Sequence, residues 1–180
     1  PHLKIKYVTP PDLVEAIPEL RKQVKGIISQ IPGWTAEELG PPTIIESNGR
    51  IQIKSAIKEL VSALEQEEGD VLVVSGLWLD RRKANRIYTP LKNLLTQSDI
   101  IHQNLAVIES SYGLRIKAPN KGFTHAINAC QLLIKLGIMP VPWSTQLGNI
   151  DLVAGIDVGR MGPNKSLPAI AVAVTKEGKL

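Results

Sequence analysis

Cysteine is almost missing from this chain: Cys130 is the only one among 180 residues, which excludes an internal disulfide and any zinc site built from several cysteines. Aromatic side chains are also scarce, at 4%, so Ala, Val, Ile and Leu must supply the core. No window reaches the roughly eighteen unbroken apolar residues that a membrane span needs, and a soluble globular protein is expected. His2, His102 and His125 lack metal-ligand spacing. No Walker loop is present and no GxGxxG follows a strand. No nucleophile with a paired base is evident either, so nucleotide-cofactor chemistry has little support. The opening residues lack a basic segment followed by an apolar one, and no secretory signal is expected. The chain begins at Pro1 without an initiating methionine; it reads as a piece cut from something longer, with a cytoplasmic location expected.

What is present is an uneven charge. The net charge is +4, but between Asp80 and Lys135 nine cations stand against Asp80, Asp99 and Glu109, giving +6 there and leaving −2 elsewhere. Clustered positive charge beside a polar pocket favours a polyanionic ligand. The plainer alternative is a solvated surface.

The pattern along the chain predicts an α/β fold. Leu3 to Thr9 alternate as a short strand, and Thr9, Pro10, Pro11 and Asp12 form a cap-like start to a helix reaching about Ile28, with Pro18 expected to kink or shorten it. Pro32 to Arg50 reads as a connector holding a short strand at Thr43 to Glu46. An amphipathic helix follows, with Ile53, Ile57, Leu60, Val61 and Leu64 on its buried face. Val71 to Val74 suits a central parallel strand. Then come a helix near Ala84 to Thr96, a strand near Ile100 to Ile108, a helix near Lys121 to Leu136 and a strand in DLVAGIDVG. Strands separated by helices indicate βαβ units and a mostly parallel sheet, in which ligands gather beyond the carboxyl ends of the strands.

Two helices carry the candidate site. Tyr88 and Lys92 are four apart and stand on one helical face. Thr124, Asn128, Gln131 and Lys135 follow a single face of a helix that is otherwise mostly apolar. A lysine and two amides on such a helix need a partner, since burying them alone costs a few kcal/mol each, and a phosphate would supply it. Gln103 interrupts the apolar strand IIHQNLAVI, where an amide is out of character unless it reaches a ligand or a helix end. His102, its neighbour, is expected on the opposite face. Each residue also has an ordinary explanation: a Tyr and Lys four apart decorate many wet helix faces, and a lysine in a last turn suits the helix dipole. Lys117 and Lys121 are expected on the approach. Asp157, in GIDVG, sits in an apolar strand, and acids on adjoining strands can hold metal ions for phosphoryl transfer.

IYTPLKNLLTQSDIIHQNLA, NACQLLIKLGIMPVPW and GIDVG, taken in that order, resemble the MID domain of prokaryotic-type Argonaute proteins leading into the first strand of the PIWI domain, over roughly Val71 to Val174. The resemblance implies a Rossmann-like domain that grips the 5′-phosphate of a guide strand. It divides the chain into a lead-in helix and linker at 1–42, a MID domain at 43–148 and the first strands of a PIWI domain at 149–180. It makes Tyr88 the stacking platform for the first base, with Lys92, Gln103 and Lys135 as further phosphate ligands. It also implies a Mg2+ ion helped by Gln131 and bridging guide phosphates, a first-base inspection loop at Asp80 to Arg86, and Asp157 as the first acid of the catalytic tetrad. The implied partners are a 5′-phosphorylated single-stranded RNA or DNA guide and, through the full-length protein, its target, with no membrane. The chain alone is expected not to be an enzyme, although its parent could be a guide-directed endonuclease. Asn128, seven before Lys135, and the segment after Gly137 with Pro142 and Trp143 depart from the family pattern. The rival reading is an α/β module for a mononucleotide or small anionic metabolite.

Overall fold

The computed structural model describes residues 1–46, 49–111, 113–117 and 131–137, and the backbone of Leu152–Arg160 and Ser166–Thr175. It divides into two compact units, Pro1–Leu136 and Gly137–Leu180. The first is α/β, with a mostly parallel sheet between helices. Its strands are β1 (His2–Thr9), β2 (Thr35–Glu38), β3 (Thr43–Ile44), β4 (Asp70–Trp78), β5 (Ile101–Ser110) and β6 (Gly113–Ile116). They run in the order β2-β1-β4-β5-β6, with β3 also on β1. Every pairing is parallel except that of β5 with β6.

The central strand β4 is buried on both faces, as a sheet covered on both sides requires. In β4, Val71, Val73 and Leu77 face helices α2 (Arg50–Leu64) and α3 (Arg81–Gln97), while Leu72 and Val74 face α1 (Ile17–Ile28). The five apolar residues expected on the buried face of α2 are all buried. Helix α3 starts at Asp80, whose carboxylate accepts the Arg82 N–H at 2.8 Å, an acidic cap at the positive end of the helix. It ends with Asp99 at φ 54° and the Ile100 N–H donating to Leu95 O, the left-handed closure usual after helices.

Three features refine the sequence pattern. Residues 1–42, read as a lead-in and linker, belong to the same compact unit as the rest of the sheet. Leu3, Ile5, Tyr7 and Val8 are all buried, and β1 lies in the interior of the sheet, between β2 and β4. Pro18 shortens the helix, the second of the two outcomes expected of it: Pro11–Ala16 is a 3-10 turn, and Pro18 stands in the first turn of α1, where its missing N–H costs nothing. Finally, the strand of GIDVG does not extend the parallel sheet. β7 (Leu152–Arg160) pairs antiparallel with β8 (Ser166–Thr175) in a sheet of two strands, Asp157 opposite Ile170. Among the described residues no helix is long and apolar enough to cross a membrane.

Candidate anion cleft at the edge of β5

Along its amino-terminal part, β5 has no strand partner on the side away from β4 among the described residues, because β6 pairs only with Val107 to Ser110. Carbonyls alternate sides along a strand, so those of His102, Asn104 and Ala106 point out of this edge and need donors. Lys117 N–H serves Ala106 O at 2.7 Å, the Gln103 amide serves Asn104 O at 3.1 Å, and Lys135 Nζ serves His102 O at 2.6 Å. The site grows from this repair of an open edge.

Lys135 projects from the helical segment 131–135, anchored by Leu132, which is 1% exposed. Its ammonium also donates to Gln103 Oε1 at 2.8 Å. An ammonium has three protons, and these two bonds leave one to direct elsewhere. Gln103 is 4% exposed, and its second amide contact, to Gln131 Oε1, is long at 3.5 Å; that N–H is the one most readily transferred to a ligand.

From the other face of the sheet, α3 contributes Tyr88 and Lys92. The Tyr88 ring lies 5.7 Å from the His102 ring at 40°, and Lys92 Nζ is 5.8 Å from the Tyr88 ring centroid, within cation–π range. A cleft of about 260 Å³ is lined by Tyr88, Lys92, Thr96, His102, Asn104 and Lys135, among others. A neighbouring one of about 430 Å³ is lined by Tyr88, Gln103, Asn104, Gln131, Ile134 and Lys135. Four of the five residues singled out for phosphate or metal binding thus meet in the second cleft, and Lys92 joins Tyr88 and Lys135 in the first. Among the described residues neither lining contains a carboxylate.

The electrostatics follow. Burial, then the Lys92 charge, holds Lys135 below the ordinary lysine range. Burial, then Lys135 and Lys92, pushes the His102 imidazole down to about 4. Both shifts disfavour further positive charge at a place that already has two ammonium groups. His102 is neutral near pH 7, and its Nε2 lies 2.8 Å from Ser75 Oγ. The Ser75 hydroxyl donates to Asn104 Oδ1 at 2.9 Å, so His102 Nε2 is the donor in its own contact.

His102 and Asn104 are the residues that the sequence reading missed. Strand alternation does turn His102 away from Gln103, so the two line neighbouring clefts that share Tyr88, Asn104 and Lys135. The site also lies near the amino end of β5, with Ile100 and Ile101 in its wall, and not beyond the carboxyl ends of the strands. Thr124, Asn128, Lys121, Pro142 and Trp143 lie outside the described residues, as does the side chain of Asp157. For magnesium, Gln131 offers one neutral oxygen, and among the described residues no group of three or more His, Cys, Asp or Glu could hold a metal. Such an ion would need phosphate oxygens and water for its other positions, an arrangement magnesium accepts. Comparison with known proteins gives no assignment: no family model, curated protein or solved structure matches this chain.

Proposed function

We propose that this chain binds the 5′-phosphorylated end of a single-stranded guide, RNA or DNA, as the MID part of an Argonaute-type protein. The observation that carries the reading is the convergence of Tyr88, Lys92 and Lys135 on one cleft that has no carboxylate among the described residues, with the Lys135 ammonium held in place by His102 O and Gln103. A terminal phosphate supplies the negative charge that this cleft lacks. Two lysines meet it as point charges, each charge-assisted hydrogen bond contributing about 1.5–3 kcal/mol. Tyr88 offers its hydroxyl to the phosphate and its ring to the first base, a stacking contribution of about 1–3 kcal/mol with little base preference.

Gln103 has two tasks on this reading: it fixes Lys135, and it can give the phosphate the N–H now spent on the long contact with Gln131. Gln131 would supply one oxygen to a magnesium ion between guide phosphates, although no binding step above depends on that ion. Asp157 would be the first acid of a catalytic set in the parent protein, and the chain by itself would bind without cutting.

Fluorescence anisotropy with matched oligonucleotides, one 5′-phosphorylated and one 5′-hydroxyl, tests the proposal. The phosphorylated strand is expected to bind at least about tenfold more tightly, the equivalent of roughly 1.4 kcal/mol. Equal affinities would dismiss it. A nucleoside 5′-monophosphate that displaces the guide as well as the phosphorylated strand itself does would favour the smaller-ligand alternative.

A further inference from the structure

Helix α3 has a second flank, which the 5′-phosphate reading does not use. Between α2 and α3 runs a groove of about 780 Å³. It is lined by the apolar Ile53, Pro90 and Leu94 and by Arg50, Lys54, Lys58, Arg82 and Arg86, with no carboxylate among the described residues. Among the described residues none of these five cations forms an ion pair. Asn85, Asn93 and Gln97 add amides along the α3 side.

Two features set this apart from an ordinary wet helix face. A solvated surface mixes signs, since isolated positive charges in a row repel one another and gain from acids between them. This groove has none. Moreover, the cations stand where the helices disfavour them. Neither α2 nor α3 has an acid in its first turn, although Asp80 caps α3, and Arg50 and Arg82 occupy those first turns, near the positive ends of the helix dipoles. A misplaced charge there costs about 0.3–1 kcal/mol. An anion lying in the groove would offset both penalties at once.

We infer that the α2–α3 groove is a second nucleic-acid site, which takes the sugar-phosphate backbone of a single strand independently of its 5′ end. Spread, unpaired cations suit a string of phosphates better than one compact anion. The α3 wall from Arg82 to Gln97 is about 22 Å long at 1.5 Å per residue, enough for several consecutive nucleotides. Sugars and bases can pack on Pro90 and Leu94 while the amides accept and donate at base edges. The lysines and arginines contact phosphates, so binding is sequence-tolerant and salt-dependent.

The test uses a 5′-hydroxyl oligonucleotide, so that failure of the 5′-phosphate reading leaves it intact. Affinity is measured by anisotropy over a range of salt for the whole chain and for Arg50→Ala/Lys54→Ala/Arg86→Ala. The variant is expected to bind at least about tenfold more weakly at low salt, with a log–log salt slope lower by about 2, from three contacts at about 0.7 each. Arg50→Lys/Arg86→Lys keeps the charges and is expected to keep the wild-type slope. The inference is overturned by an unchanged slope in the neutralised variant, or by a slope lost equally in the charge-keeping one, which would trace the effect to packing. It is also overturned if polyglutamate of matched charge displaces the strand as well as unlabelled oligonucleotide does, since the groove would then fit an acidic peptide.

Discussion

The two flanks of α3 hold positive charge in opposite ways. Toward the β5 edge there are two lysines, one of them held by a backbone carbonyl and a buried glutamine and partly desolvated. Toward α2 there are five cations, open to water and bonded to nothing described. The first arrangement concentrates charge at a point and fixes its direction, which suits one anion of defined geometry. The second spreads charge along a line and leaves it mobile, which suits a flexible polyanion. Desolvation decides between them: at the same separation, two charges interact several times more strongly beside a protein wall than in bulk water.

The largest expected effect separates the flanks directly. Lys92→Ala/Lys135→Ala should abolish the preference for a 5′-phosphate over a 5′-hydroxyl, a loss of about two decades if each lysine contributes about 1.5 kcal/mol or more. Neutralising the groove should instead weaken both strands alike and leave their ratio unchanged. Anisotropy with the two oligonucleotides reads both outcomes, and a ratio that moves with the groove variant would mean that the flanks act as one site.

The next effect is on stability. A base whose folded pKa is pushed from 6.5 down to about 4 binds its proton more readily when unfolded. Its share of stability is complete above about pH 6.5, is lost as pH falls through the window to about 4, and is flat below. The bound is about 3 kcal/mol, at 1.36 kcal/mol per pKa step, and partial exposure lowers it. Urea unfolding at pH 7.5 and pH 4.5 should show wild type losing more than His102→Gln does. Equal losses would mean that the imidazole is as well solvated in the folded chain as in the unfolded one.

Gln103→Leu should have a smaller effect. Leucine fills a similar volume, but Asn104 O loses its donor and Lys135 an acceptor, so about 1–2 kcal/mol of stability should go. The 5′-phosphate preference should narrow because the ammonium is no longer aimed. Unchanged stability with an unchanged preference would reduce Gln103 to a bystander.

Much of this was legible before any coordinates. The i, i+4 spacing put Tyr88 and Lys92 on one face, the apolar stripe of α2 named its five buried residues, and Gln103 announced itself as an amide in an apolar strand. What stayed hidden depends on long-range pairing. Nothing local says that β1 sits inside the sheet, because an alternating strand of eight residues reads alike at an edge or in the middle until its neighbours are known. The same holds for His102: alternation assigns its face correctly, but only the short reach of β6 reveals that β5 is an edge, with neighbouring clefts that share Tyr88, Asn104 and Lys135. The groove residues were seen as charge in the sequence, yet Arg50, Lys54 and Lys58 fell outside the basic segment that was counted. They join it only through the packing of α2 on α3.

The smallest expected effect tests whether groove charge adds up simply. Asp80 is the one acid at the amino end of α3, and its oxygen caps Arg82 N–H. Asp80→Asn keeps that acceptor, and asparagine caps about as well as aspartate, so the cost is confined to the lost charge–dipole attraction, about 0.3–1 kcal/mol. Removing a negative charge two residues from Arg82 should raise affinity for a 5′-hydroxyl strand by about twofold at low salt, and the gain should vanish once salt shortens the screening length to a few ångströms. Asp80→Ala should cost about 1 kcal/mol more stability with the same gain in affinity. If Asp80→Asn weakened strand binding, the carboxylate would be holding Arg82 in place for the strand, and the α2 side of α3 would resemble the β5 side more closely than its open geometry implies.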